Sequence, residues 1–414
     1  MIRSRHRSAQ KVAGLRRVRR PATDLAPAFD LAYVREAPGI GPVVLEIPGG
    51  PGIAVPLPYR GFRRRARLVG LDMIMVEHRG IGLSRKDASG EDLPATAMSV
   101  RQVVDDLLAV LDAEGIERAI ISGASYGSYV AAAFAVTHPE RVAGLVLDSP
   151  VLGAEDYRAV RGHARALLWR GDAVDSTPET RRIAAKIRTL VERDGHDPER
   201  LGAAVLVLFE RGGPAVTEQY LDQLVQGRAP ATTAVLSMLT GGDALGEVAH
   251  LFEGDLVAHI SHGELHYSSP VDGLIFDPGS LLGRADAPAF RGDPVDFPAQ
   301  LASVEAPAVV LVGDRDTQTP LPSARAAAEA LPDATLVVLP EHGHSALDSR
   351  PAVLLLLLKA LARGTHRRLG ALSGSLAERT AVAMSARLHA LGLRALLAVD
   401  RVIAPVPRRP RGLR

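Results

Sequence analysis

Cysteine is absent from this chain. Neither a disulfide framework nor a thiolate-ligated metal centre is available to it, and a reducing, cytoplasmic setting is expected. Lysine is scarce: Lys11, Lys86, Lys186 and Lys359 are the only four, and arginine supplies the rest of the positive charge. Aromatic side chains make up only 4%, which argues against a pocket built of stacked rings. No apolar run approaches the roughly 20 residues that span a bilayer. The run VLLLLL (353–358) reads instead as part of a buried helix. No secretory leader is visible, because the twin-arginine-like LRRVRR (15–20) runs into PATDLAPAFD and not into an apolar stretch. An arginine-rich transit peptide is the alternative reading of that segment. The thirteen histidines are scattered without an HExxH-type pair, so neither a metal nor an organic cofactor is expected.

What remains is a globular composition: 414 residues, 47% apolar, enough for a large core and a sizeable insertion. The net charge of +2 conceals an uneven layout. Residues 1–20 carry eight Lys/Arg and no acid, and residues 367–414 carry ten Arg and two acids, so the body between them is strongly acidic. Basic ends can bind nucleic acid or an anionic membrane. The plainer reading is a pair of solvated ends in an arginine-rich protein, and no nucleic-acid partner is expected.

Over residues 29–150 short apolar runs alternate with helical periodicity. FDLAYV (29–34) alternates like an antiparallel edge strand. VVLEI (43–47), MIMVE (73–77), AIIS (119–122) and GLVLD (144–148) read as buried strands. Val100, Val103, Val104, Leu107, Leu108 and Leu111 recur at helical spacing. Ser99 is placed to cap that helix, Gln102 to close a capping box, and Gly115 to end it. From 151 to 300 helical segments dominate, followed by a Gly/Pro-rich stretch. The strand pattern returns at AVVLVGD (308–314) and TLVVLP (335–340), with helices at 321–331 and 351–362. The expected organisation is a basic arm (1–24), an α/β core in two parts (25–150 and 301–365), a helical insertion between them (151–300), and a basic helical extension (366–414). Strands alternating with helices imply a mostly parallel sheet covered on both faces.

Chemistry enters with GASYG (123–127). A serine between two glycines, where a strand turns into a helix, serves in many proteins only as turn punctuation and cap. Here further pieces follow other strands. Asp316 lies in GDRDTQTP after VVLVG, and His344 in EHGHSA after TLVVLP. PGGPG (48–52) follows VVLEI. Acyl transfer needs a nucleophile, a base, an acid that orients the base, and donors for an oxyanion. In a parallel sheet those groups converge at the carboxyl ends of strands. Ser125, Asp316 and His344 stand in an order known for such triads. Gly49 or Gly50, with the backbone N–H of Tyr126, can supply the oxyanion donors.

The segments GGPG, HRGIGLS (78–84), GASYGSYVAAAFAVTHPERVAGLVLDSP (123–150), GDRDTQTP and GHS (343–345) give the chain a family likeness. It resembles the α/β-hydrolase fold, and within it the serine aminopeptidases of the proline iminopeptidase and tripeptidyl aminopeptidase group, over roughly 29–150 and 301–362. The resemblance implies Ser125 as nucleophile, His344 as general base and Asp316 as its orienter, with the insertion as a cap. The histidine of GHS is preferred over His342, and the spacing G-x-x-D-x-x-T-P selects Asp316 over Asp314. Arg79 and Ser84 are expected to support the site structurally. The chain departs from the group at Pro48, where a histidine is usual before GGPG, and at Glu77-His78, where Asp-Gln is common. An aminopeptidase also needs an acid to hold the substrate's amino terminus. The resemblance suggests Glu264, in GELHYSSP with His266 and Tyr267, with Glu210, Glu218 and Asp222 as other candidates. The implied substrate is a small peptide, or a small-molecule amide or ester. A carboxylesterase, or a non-catalytic binding protein on the same fold, are the alternatives.

Overall fold

In the computed structural model, residues 2–240, 247–284, 286–297 and 299–403 are described. Eight strands form one sheet: β1 Leu15–Arg20, β2 Phe29–Arg35, β3 Val43–Ile47, β4 Asp72–Val76, β5 Ala119–Ala124, β6 Val142–Asp148, β7 Ala308–Gly313 and β8 Ala334–Leu339. Their spatial order is β1-β2-β4-β3-β5-β6-β7-β8. β2 runs antiparallel to β1 and β4, and every other pairing is parallel. This is the α/β-hydrolase sheet.

The central strands are apolar on both sides because both sides are covered. Leu45, Ile121, Leu145 and Val310 face the helices Val100–Ala113, Tyr126–Thr137 and Leu321–Ala330. Val44, Ile120, Val146 and Val309 face the helices Arg60–Leu68 and Pro351–Ala362. The VLLLLL run is indeed helical, and of its leucines only Leu356 is exposed. Ser99 caps its helix by accepting from the Gln102 N–H at 3.3 Å. The expected capping box does not close: the Gln102 side chain instead donates to Thr96 O at 2.9 Å and accepts from Arg79.

The N-terminal residues correct the expectation of a loose basic arm. Ile2–Gln10 is a helix, and LRRVRR is β1, paired along its length with β2. Three of its four arginines are paired with carboxylates elsewhere in the chain. Arg16 pairs with Glu114 at 2.6 Å, Arg20 with Asp106 at 2.8 Å and Arg19 with Asp30 at 3.1 Å.

Helices between residues 156 and 240 build a second apolar core, and residues between 252 and 282 wrap back over the carboxyl ends of the strands. The helix Met384–Ile403 belongs to this second core, since Leu393 and Leu397 are buried in it. Gln223 donates to Leu397 O at 2.9 Å, and Asp400 accepts from the N–H groups of Ala231 and Thr232 at 2.9 and 2.8 Å. Part of the extension is therefore structural, while residues 404–414 lie outside those described. Leu397→Ala is expected to cost about 2–5 kcal/mol, the range for a buried leucine that leaves a cavity. Urea denaturation would measure it, and an unchanged midpoint would place the helix outside the folded core. Among the described residues no helix is long and apolar enough to cross a membrane.

Candidate active site

Ser125 occupies the tip of the turn between β5 and the helix Tyr126–Thr137, with φ 53° and ψ −122°. That conformation is strained for a side-chain-bearing residue. Both flanking glycines are required by space. A Cβ on Gly123 would lie 2.0 Å from Gly127 O, and one on Gly127 would lie 2.0 Å from Ile47 O. The backbone can therefore fold back tightly and lift the serine out of the sheet.

Asp316 and His344 meet across the tips of β7 and β8. His344 Nδ1 lies 3.1 and 3.0 Å from the two Asp316 carboxylate oxygens. Those oxygens also accept from the N–H groups of Gln318 and Thr319 at 3.0 and 2.9 Å and from the Thr319 hydroxyl at 3.0 Å. A buried carboxylate so fully engaged is fixed in orientation. Burial pushes the His344 imidazole down. The Asp316 charge and hydrogen bond, with the further charges of Glu210 and Asp148, more than offset this and raise it to about 9.

Ser125 and His344 line one cavity of about 470 Å³. No hydrogen bond joins the Ser125 hydroxyl to the imidazole among the described contacts. Such bonds are often long in a substrate-free enzyme and tighten around the substrate. Gly49 and Gly50 line the same cavity. Gly49 packs so closely that a Cβ there would lie 3.2 Å from the Ser125 Cβ. Tyr126 opens its helix, so its N–H is one of the first-turn donors without an intrahelical partner. Its phenol is buried and lies 2.9 Å from His78 Nε2. The glycine loop is braced from the far side of the chain: Glu253 N–H donates to Gly52 O at 2.9 Å, and Ala54 N–H to Leu251 O at 3.0 Å.

The rival residues do different work. The Asp314 carboxylate accepts from the N–H groups of Glu341 and His342 at 3.0 and 3.1 Å, holding the histidine loop. His342 is buried, does not line the cavity, and is pushed down to about 4 chiefly by burial. Arg79 is bound to Asp106 at 2.6 and 2.7 Å and to Ala97 O at 3.0 Å, and Ser84 Oγ accepts from the Ala32 N–H at 2.9 Å.

Glu264 corrects the sequence-based expectation. Its carboxylate accepts from the Val100 N–H at 2.8 Å and pairs with Arg291 at 3.4 Å, at the start of the helix Val100–Ala113. A carboxylate at a helix N-terminus is stabilised there, and Glu264 does not line the cavity. Glu218 and Asp222 are paired with Lys186 at 3.0 and 2.5 Å, also away from it. Glu210 does line it, at the end of the helix Pro198–Gly212. It accepts from the Thr317 hydroxyl and the Gln318 amide at 3.0 Å each, on the Asp316 loop itself. Tyr267 reaches Gly50 O at 3.2 Å, and with Tyr157, Phe252 and Phe276 it gives the cavity four of the chain's few aromatic rings. The low aromatic content therefore did not exclude an aromatic wall.

Sequence reasoning missed Asp148, at the end of β6. Its oxygens accept from the N–H groups of Ala346 and Leu347 at 3.1 and 2.9 Å. The neighbouring Ser149 hydroxyl accepts from the Ser345 N–H at 3.0 Å. Together they clamp the three residues that follow His344. An aspartate ending a strand was the only signal. Among the described residues no group of three or more His, Asp or Glu is arranged to hold a metal ion.

A profile of the alpha/beta hydrolase fold family matches residues 42–351. The proline iminopeptidase of Neisseria meningitidis is 36% identical over 107 residues, 26% of this chain and 32% of that protein. A probable proline iminopeptidase of Streptomyces coelicolor is 30% identical over 179 residues, 43% of this chain and 51% of that protein. The matched stretch thus spans about a third of the first relative and about half of the second. The crystal structure of a proline iminopeptidase from Mycobacterium smegmatis aligns with a TM-score of 0.48 at 18% identity, covering 84% of this chain and 99% of that one.

Proposed function

The chain belongs to the alpha/beta hydrolase fold family, and on that premise we propose that it is a serine hydrolase working through an acyl-enzyme, with aminopeptidase activity on short peptides. Ser125 attacks the carbonyl carbon while His344 Nε2 takes its proton. Asp316 holds the imidazole by its other nitrogen and stabilises the imidazolium. The N–H of Tyr126 and that of Gly49 or Gly50 hold the oxyanion. His344 then returns the proton to the leaving amine, and water, activated by the same base, releases the acid from Ser125. The helical insertion acts as a cap over the cavity.

The observation that carries the peptidase reading is Glu210. The insertion delivers its carboxylate to the Asp316 loop, inside the cavity that holds Ser125 and His344. Asp156 and Asp348 line the same cavity, whose only lining arginine among the described residues is Arg211. A substrate with a charged amino terminus is matched to such a surface, because charge-assisted hydrogen bonds to ammonium are the strong ones.

The test compares proline and alanine p-nitroanilides with short p-nitrophenyl esters. Turnover of the amides supports the reading, and ester turnover without any amide turnover defeats it in favour of a carboxylesterase. Glu210→Gln is expected to weaken kcat/KM for the amides about 10- to 100-fold, the worth of a hydrogen bond to a charged group. Acyl esters without an ammonium are expected to be little affected. The same change removes one of the negative charges that raise His344, so the acid limb of the pH–rate profile should move to lower pH. An unshifted limb would show that Glu210 does not face the base.

A further inference from the structure

On the sheet face opposite the helix Val100–Ala113, a groove of about 680 Å³ runs between the helices Arg60–Leu68 and Pro351–Ala362 and the segment that follows the latter. Its volume is in the range of about 300–1,000 Å³ usual for small-ligand sites. The floor is mainly leucine. Leu356 and Leu372 stay 44% and 47% exposed, although a soluble fold usually hides such side chains. Arg65, Lys359, Arg363 and Arg368 stand among the lining residues, and no acid does.

Among the described residues the cations of the groove lack carboxylate partners, a state they share with other surface arginines such as Arg64, Arg67 and Arg101. Arginines elsewhere are commonly tied to carboxylates, as at Arg16, Arg35, Arg79, Arg85 and Arg165. Among the described residues, the side chains of Arg65, Lys359, Arg363 and Arg368 have neither an ion-pair nor a hydrogen-bond partner. An apolar trough with unpaired cations and no acid has the complement of an anionic amphiphile. The residues after 403 carry four arginines and no acid, so their charge makes them a poor occupant.

We propose that this groove binds a long-chain fatty acid anion, with the acyl chain along Leu356 and Leu372 and the carboxylate among the four cations. The site is separate from the Ser125 cavity, and the proposal does not depend on the peptidase reading.

The test is a fluorescence titration of the purified full chain with cis-parinaric acid and, in parallel, with its methyl ester. Saturable binding of one acid per chain is expected, unchanged by Ser125→Ala. The methyl ester should bind at least about tenfold more weakly. The double variant Lys359→Glu/Arg363→Glu should weaken the acid by tenfold or more, since each exposed charge pair contributes up to about fivefold. Leu356→Asp should abolish binding. If that variant fails to fold, the double charge reversal at half-buried or exposed positions decides the matter. Failure of the free acid to bind, equal binding of acid and ester, or insensitivity to both groove variants overturns the proposal. So does a wild-type dimer in sedimentation velocity that Leu356→Asp disperses, which would make a second copy the occupant. Binding to anionic vesicles without binding of the free acid overturns it as well.

Discussion

Replacing Ser125 with alanine is expected to lower turnover about 10⁶-fold, the loss seen when the nucleophile of such a constellation is removed. The change deletes a single oxygen that lines the cavity and supports no other part of the fold. The strained turn is held by its surroundings: Ser125 N–H donates to Asp148 O at 2.8 Å, and Gly123 and Gly127 leave room for the tight return. Alanine meets the same φ of 53° at similar cost, so the melting temperature should stay within a degree or two. A residual rate about 10³–10⁴ above that in water should persist from the oxyanion donors and binding alone. The measurement is kcat on the best chromogenic substrate of the panel, with labelling by an organophosphonate as a second readout. Activity within tenfold of the parent, or labelling that survives the substitution, would assign the nucleophile to another residue.

His344→Ala should bring a loss of similar size, and His342→Ala should not. The two histidines are two residues apart, both beside the candidate site, and sequence spacing alone separates them weakly. Structure separates them clearly. His344 lines the cavity and is bound to Asp316 through Nδ1, whereas His342 is buried behind it with Nε2 unpartnered. His342→Ala should therefore lower stability through lost packing and leave kcat within about tenfold, so kcat and thermal midpoint must be measured together. A large loss of kcat in the His342 variant with unchanged folding would reverse the assignment. The pH profile adds an independent check. Because His344 is raised to about 9, most of the base is protonated at neutral pH. The ratio kcat/KM should rise about tenfold per pH unit below that value and level off near it. The linked stability has the opposite sign. An imidazole raised on folding contributes stability that is complete below its unfolded value of about 6.5 and is lost as pH climbs through about 9. Catalysis and stability thus pull apart on the alkaline side.

The sheet was legible because buried parallel strands are apolar on both faces. Val43–Ile47 was readable to the residue, and the others to within two. β1 was not, because four of its six residues are arginine and their partners lie elsewhere in the chain. Arg16 meets Glu114 across 98 residues, and no local pattern announces that. The candidate triad was legible because each member sits just after its own strand, where topology concentrates function. The anchor was not. Glu264 and Glu210 are both glutamates in the insertion. The E-x-H-Y match favoured Glu264, while the tertiary fold gave it the start of a helix 164 residues earlier to cap. A short motif records which residue types are present, and cannot show which of them has already been committed to a backbone donor.

The place of Leu393 and Leu397 bears on how the molecule is made. Every other helix of the second core leaves the ribosome before these two leucines have been translated. At about 5–20 residues per second, roughly 10–40 seconds separate synthesis of the helix Pro198–Gly212 from that of its last partners. Throughout that interval the second core lacks Leu393 and Leu397, and its apolar surface stays incomplete. The second core therefore closes late, on segments far apart in the chain.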